Sequence, residues 1–161
     1  MRRKRTHGSA EGRSIDGKVA AEMISTIAVG TDGSETATKA VDVAVDMARR
    51  FDSKVVLMSV YHDPAARQSA DVDEHELAWN PAAQLREILA RTERRIQDAG
   101  IPCVTRTGKG NPARELVKIA EQCQADLLVI GNKGMRRRVL GSVPNSVAHN
   151  APCSVLVVKT T

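Results

Sequence analysis

From Ser25 onward the chain alternates short, nearly unbroken apolar runs with longer stretches in which apolar residues return every three or four positions. The runs are Thr26-Ile27-Ala28-Val29-Gly30, Val55-Val56-Leu57-Met58-Ser59-Val60, Cys103-Val104-Thr105-Arg106, Asp126-Leu127-Leu128-Val129-Ile130 and Ser154-Val155-Leu156-Val157-Val158. Four of them carry the β-branched, continuously apolar pattern of strands buried on both faces, whereas the run beginning at Cys103 alternates with polar residues and predicts an edge.

Between the first two runs, Ala37, Ala40, Val41, Ala44, Met47, Ala48 and Phe51 form one stripe at helical spacing. Leu85, Ile88, Leu89, Ile96 and Ala99 form a second, opening after Asn80-Pro81 and closing at Gly100. Asn111-Pro112 opens a third helix that carries Leu116, Ile119, Ala120 and Cys123. In both places the asparagine is a cap and the proline occupies the first helical position, where its missing N–H costs nothing. A short fourth helix spans about Ser142 to His149. The order β-α-β-α-β-α-β-α-β, with right-handed crossovers between parallel strands, predicts a three-layer, doubly wound α/β domain with a five-stranded parallel sheet. The polar, acidic stretch from His62 to Trp79 lacks periodicity and reads as a mobile insertion that partly overhangs the ligand crevice.

Composition changes this picture little. With 161 residues, 42% of them hydrophobic and 27% charged, the chain suits one ordinary domain. No apolar run approaches the roughly 18 residues that span a bilayer, so a membrane partner is not expected. One Phe, one Tyr and one Trp are too few for a module that stacks nucleic-acid bases on aromatic rings.

Charge changes it more. The net charge is +5, but residues 1–18 hold six cations against two acids and so account for +4, leaving a nearly neutral remainder. The basic segment, residues 1–22, reads as a disordered extension; it has no apolar core of a secretory signal, which predicts a cytoplasmic protein. Its short basic run is too small to hold a duplex alone, so nucleic acid is not an expected partner. Residues 23–161 then form the folded domain. Cys103, Cys123 and Cys153 are widely spaced, predicting reduced, partly buried thiols, and the four histidines are scattered. No zinc or Ser-His-Asp constellation emerges.

Candidate chemistry sits at two strand ends. In an open α/β sheet, ligands bind beyond the carboxyl ends of strands where the strand order reverses. Gly30-Thr31-Asp32-Gly33-Ser34 follows the first strand, and Gly131-Asn132-Lys133-Gly134 follows the fourth and continues to Gly141-Ser142-Val143 at a helix start. Glycines there bring backbone N–H groups close to a phosphate, and the helix N-terminus and Ser142 add donors. Asp32 offers a carboxylate to ribose hydroxyls or an adenine edge; the alternative is that it caps the first helix. Neither G-x-x-x-x-G-K-[ST] nor a first-strand G-x-G-x-x-G is present, and the single acid after the first strand argues against a phosphoacceptor domain.

With these residues in view, the chain from about Ser25 to Lys159 resembles the universal stress protein family, within the adenine-nucleotide α-hydrolase-like superfamily. The resemblance lies in Ile27-Ala28-Val29-Gly30-Thr31-Asp32-Gly33-Ser34, in Ala125-Asp126-Leu127-Leu128-Val129-Ile130-Gly131, and in Gly141-Ser142-Val143 continuing to Ala151-Pro152-Cys153-Ser154-Val155-Leu156-Val157-Val158. It implies strand order 3-2-1-4-5, a homodimer formed through the last strand, and a stress-response regulator that binds adenine nucleotide and is at most a slow ATPase. The expected ligand is ATP, with or without Mg²⁺, and cyclic AMP is the alternative. Thr31, Asp32, Gly33 and Ser34 fall on the first loop, Val56 on or beside an adenine contact, and Gly131, Asn132, Lys133, Gly134, Gly141, Ser142 and Val143 on the phosphate loop. Only six residues separate Gly134 from Gly141 where the family's ATP-binding pattern has nine, a loss of nearly one helical turn. Arg136, Arg137 and Arg138 fill that short loop; Arg136 is a candidate phosphate ligand, and a solvated turn or an exposed basic patch for a protein partner is the other reading. A nucleotide-free dimeric interaction module is the alternative from a different functional class.

Overall fold

The computed structural model describes residues 24–61, 81–132 and 140–160. The basic N-terminal segment, the 62–79 insertion and the loop holding Lys133, Gly134 and Arg136 lie outside the described residues. Five strands and four helices alternate along the described chain: β1 (Thr26–Gly30), α1 (Glu35–Phe51), β2 (Lys54–Tyr61), α2 (Pro81–Asp98), β3 (Cys103–Lys109), α3 (Pro112–Gln122), β4 (Leu127–Asn132), α4 (Ser142–Asn150) and β5 (Ser154–Lys159). The sheet is parallel, and its order β3-β2-β1-β4-β5 is the one the family resemblance implies.

The strand order reverses at β1, which pairs with β2 on one side, where Ile27 lies beside Val55, and with β4 on the other, where Ile27 lies beside Leu127. A central parallel strand must be apolar on both faces, and Ile27, Ala28 and Val29 are fully buried. Their alternation divides the core. Ile27, Val29, Val55, Leu57, Leu127 and Val129 face α1 and α2, packing with Ala40, Val41, Ala44, Leu89 and Ile96. Ala28, Val56, Met58, Leu128 and Ile130 face the other way, against Ala113, Leu116, Ile119 and Ala120 of α3 and Val147 of α4.

Local chemistry starts the helices where the sequence places them. Ser34 Oγ accepts from Ala37 N at 3.3 Å to cap α1, and Asn111 Oδ1 accepts from Arg114 N at 3.1 Å to cap α3. Gly108 near the end of β3 lets α3 approach: a Cβ there would stand 2.8 Å from Glu115 Cβ.

The two edges differ from their sequence patterns in instructive ways. β3 is the predicted edge but runs on to Lys109, beyond its apolar segment, because pairing with β2 continues to Tyr61. β5 has the pattern of a strand buried on both faces, yet Val155 to Val158 are all half-buried, since only β4 flanks it.

Candidate functional site

A cleft of about 560 Å³ opens at the carboxyl ends of β1 and β4, at the point where the strand order reverses. One wall is apolar, made by Val60, Pro112, Leu116 and Ile130. A polar part of the lining comes from Thr31, Asp32 and Ser34 of the loop after β1 and from Asn132 and Ser142 at the end of β4 and the start of α4.

The β1 loop is held by its own side chains. Thr31 N donates to Met58 O at 2.8 Å, extending the β1–β2 ladder by one residue. Thr31 Oγ1 accepts from Gly33 N at 3.1 Å, and Asp32 Oδ1 accepts from Ser34 N at 3.0 Å, an Asx turn leading into the helix. The cap of α1 is therefore Ser34, and Asp32 stands two residues earlier with its exposed carboxylate on the cleft wall.

The β4 part of that lining is built around Asn132. Its Oδ1 accepts from Gly141 N at 3.3 Å, and its carbonyl accepts from Thr160 Oγ1 at 2.7 Å. Gly141 caps α4 without a side chain, so the first turn presents bare N–H groups and the positive end of the helix dipole toward the cleft.

Of the residues singled out from sequence, Thr31, Asp32, Ser34, Gly131, Asn132, Gly141, Ser142 and Val143 meet in this cleft. Lys133, Gly134 and Arg136 lie outside the described residues. Two stand elsewhere. Gly33 has φ +77° and its bare Cα faces Ile88 and Leu85 of α2, so its glycine serves the turn and the helix packing. Val56 is 2% exposed inside the α3-side core. Val60, four residues further along the same face of β2, lines the cleft instead. Ligands sit beyond strand ends, so the last inward residue of a strand is the better choice, and this rule was available from sequence. Pro112, Leu116 and Thr160 also went unanticipated; α3 and the end of β5 reach the cleft only through tertiary packing.

The thiols are not poised for chemistry. Burial, helped by the charge of Glu93, pushes Cys103 up to about 11, and burial also raises Cys123 and Cys153. All three are free, as expected. Among the described residues no cluster of three or more His, Cys, Asp or Glu could hold a metal ion, and no helix is long and apolar enough to cross a membrane.

These features define a doubly wound α/β protein with an open crevice at its switch point. The model of the universal stress protein family matches residues 23–159, and the chain belongs to that family. It is 39% identical over 144 residues to universal stress protein Rv1636 of Mycobacterium tuberculosis, covering 84% of this chain and 97% of that one. A universal stress protein solved in complex with cAMP superposes with TM-score 0.67 at 32% identity, covering 86% of this chain and 99% of the other. UspA from Lactobacillus plantarum superposes with TM-score 0.68 at 26% identity, covering 84% and 97%.

Proposed function

We propose that this protein binds an adenine nucleotide in the cleft and acts as a nucleotide-responsive regulator rather than a fast enzyme. The observation that carries the reading is the pairing of apolar lining at Val60, Pro112, Leu116 and Ile130 with polar lining at Asn132 and Ser142, beside the start of α4. A base is flat and apolar on its faces, and its phosphates are anionic; the two kinds of lining suit the two halves. Asp32, also in the lining, offers a carboxylate to accept from ribose hydroxyls. ATP is the ligand we favour, with Mg²⁺ held through its phosphates where present. Cyclic AMP is the second reading, supported by the 32%-identical relative solved with it. The half-buried apolar β5 edge supports homodimerisation through that strand, and the family's character supports a cytoplasmic location.

Calorimetric titration with ATP, ADP, AMP, cyclic AMP and GTP tests this directly. Saturable binding of one or more adenine nucleotides in preference to GTP is the expected result. Absence of heat with all of them at millimolar concentration, with no nucleotide extracted from the purified protein, would overturn it in favour of a nucleotide-free interaction module.

A further inference from the structure

A second groove, of about 420 Å³, lies at the amino end of the sheet, away from the cleft. It is lined by Lys54 and Val55 of β2, by Gln97 of α2, and by the stretch from Gly100 to Val104 that leads into β3. Its floor is apolar and closed, since Val55, Ile101 and Cys103 are buried. Its rim is open: Val104 is 43% exposed, and a Cβ on Gly100 would meet no atom within 4 Å. An exposed valine over an apolar floor gains by being covered. Lys54 is the charged residue of the lining. Its charge is felt by Asp126, whose carboxylate is already committed to Ser25 and Thr26, and among the described residues Lys54 makes no ion pair.

The chain enters the fold beside this groove. Ser25 O accepts from Lys54 N at 3.0 Å, and Ile24 O accepts from Ser53 Oγ. Ile24 packs on the same side of the sheet as Ile101 and Cys103. Immediately before it comes Val19-Ala20-Ala21-Glu22-Met23, four apolar residues and one acid, whereas the whole of residues 1–18 holds only Met1, Ala10 and Ile15 as apolar side chains. An extended residue spans about 3.4 Å, so five reach roughly 17 Å. Two strand spacings, about 10 Å, separate β1 from β3. Length, composition and charge all match the groove.

We propose that Val19-Ala20-Ala21-Glu22-Met23 of the same chain occupies the amino-end groove, its apolar side chains covering Val104 and the groove floor and Glu22 pairing with Lys54. The family model begins at residue 23, so four of these five residues precede the shared domain and the docking is a property of this chain's extension. It does not depend on the nucleotide reading. It also sets where the basic residues 1–18 depart: at the amino end of the sheet, opposite the cleft.

Hydrogen exchange of the full-length protein, read by mass spectrometry at two protein concentrations, tests this. The amides of residues 20–23 are expected to exchange at least about tenfold more slowly than in a free peptide of the same sequence. Val104→Asp, at an exposed position, removes that protection while thermal melting shows the fold retained. Glu22→Lys and Lys54→Glu each weaken it, and the double variant restores it. Free-peptide exchange in the wild type would overturn the proposal, as would protection that survives Val104→Asp, which puts the segment elsewhere. Protection that rises with protein concentration would assign the groove to the segment of a second copy and overturn the intramolecular docking. A double variant that restores nothing would overturn the Glu22–Lys54 pair.

Discussion

The two ends of the sheet each carry a groove, and each groove is lined by a side-chain amide. At the amino end, a groove of about 420 Å³ runs past Lys54, Gln97 and Cys103. Gln97 Nε2 is already spent there, donating to Cys103 O at 2.8 Å and Glu93 Oε1 at 3.3 Å. The nearby Asp126 carboxylate is equally occupied: one oxygen accepts from Ser25 N, Ser25 Oγ and Thr26 N at 2.8, 2.9 and 2.9 Å. Burial alone would raise this carboxyl, but those bonds and the Lys54 charge outweigh it and hold it below its ordinary value. At the carboxyl end, Asn132 Nδ2 meets no acceptor among the described residues, and α4 opens without a side-chain cap among them. The amino end closes its polar groups on one another and so ties β1 to β4. The carboxyl end leaves donors over, and donors left over in a concave site are what a ligand can use.

Filling the carboxyl-end cleft gives the largest expected effect. Val60→Trp places an indole where the apolar wall stands and weakens nucleotide binding on the order of 100-fold, by the clash it builds, while thermal melting shows the fold retained. Next is the opposite end: Asp126→Ala strands three donors and costs about 2 kcal/mol by urea unfolding, with nucleotide affinity unchanged. Affinity falling in parallel with stability would break the separation of the two ends.

Acid probes the same carboxylate. Its folded-state pKa lies below the ordinary value of 3.8, so its stabilisation is present above that pH and is lost as pH falls below it. Asp126→Asn therefore flattens the acid limb of the stability profile; an unchanged limb would assign it to other carboxylates. Ser142→Ala, which removes one hydroxyl from the open end, weakens phosphate-bearing nucleotides about fivefold and leaves the melting temperature in place. The smallest effect belongs to an intermediate case. Ser59 Oγ is sealed in the core with no partner among the described residues, so it can serve neither end, and Ser59→Ala raises stability by about 1 kcal/mol or less, read as a small rise in melting temperature.

The fold was legible because each strand of a buried parallel sheet must be apolar on both faces and each covering helix on one. Ile27-Ala28-Val29 and Leu127-Leu128-Val129-Ile130 announce their places for that reason, and Asn111-Pro112 marks a helix start through chemistry confined to one turn. Strand order needed the family resemblance, since periodicity does not say which strands are neighbours. In the site, glycine and acid residues at strand ends were visible, whereas Val60, Pro112 and Leu116 look like any other core or cap residues. Asp126 shows the converse: it belongs to a recognisable motif, yet its work is to hold β1, a contact across 100 residues of chain from Thr26.

Local chemistry along the chain thus determined the elements, their alternation and the two polar loops, because periodicity and capping act over a few residues. Only the tertiary structure decided which polar groups find partners. Gln97 and Asn132 are similar amides; local sequence places one on a helix and the other in a glycine-flanked loop but does not say which distant groups each will meet. Packing alone brings Cys103 O to one and leaves the other facing a cleft, its donor without an acceptor among the described residues.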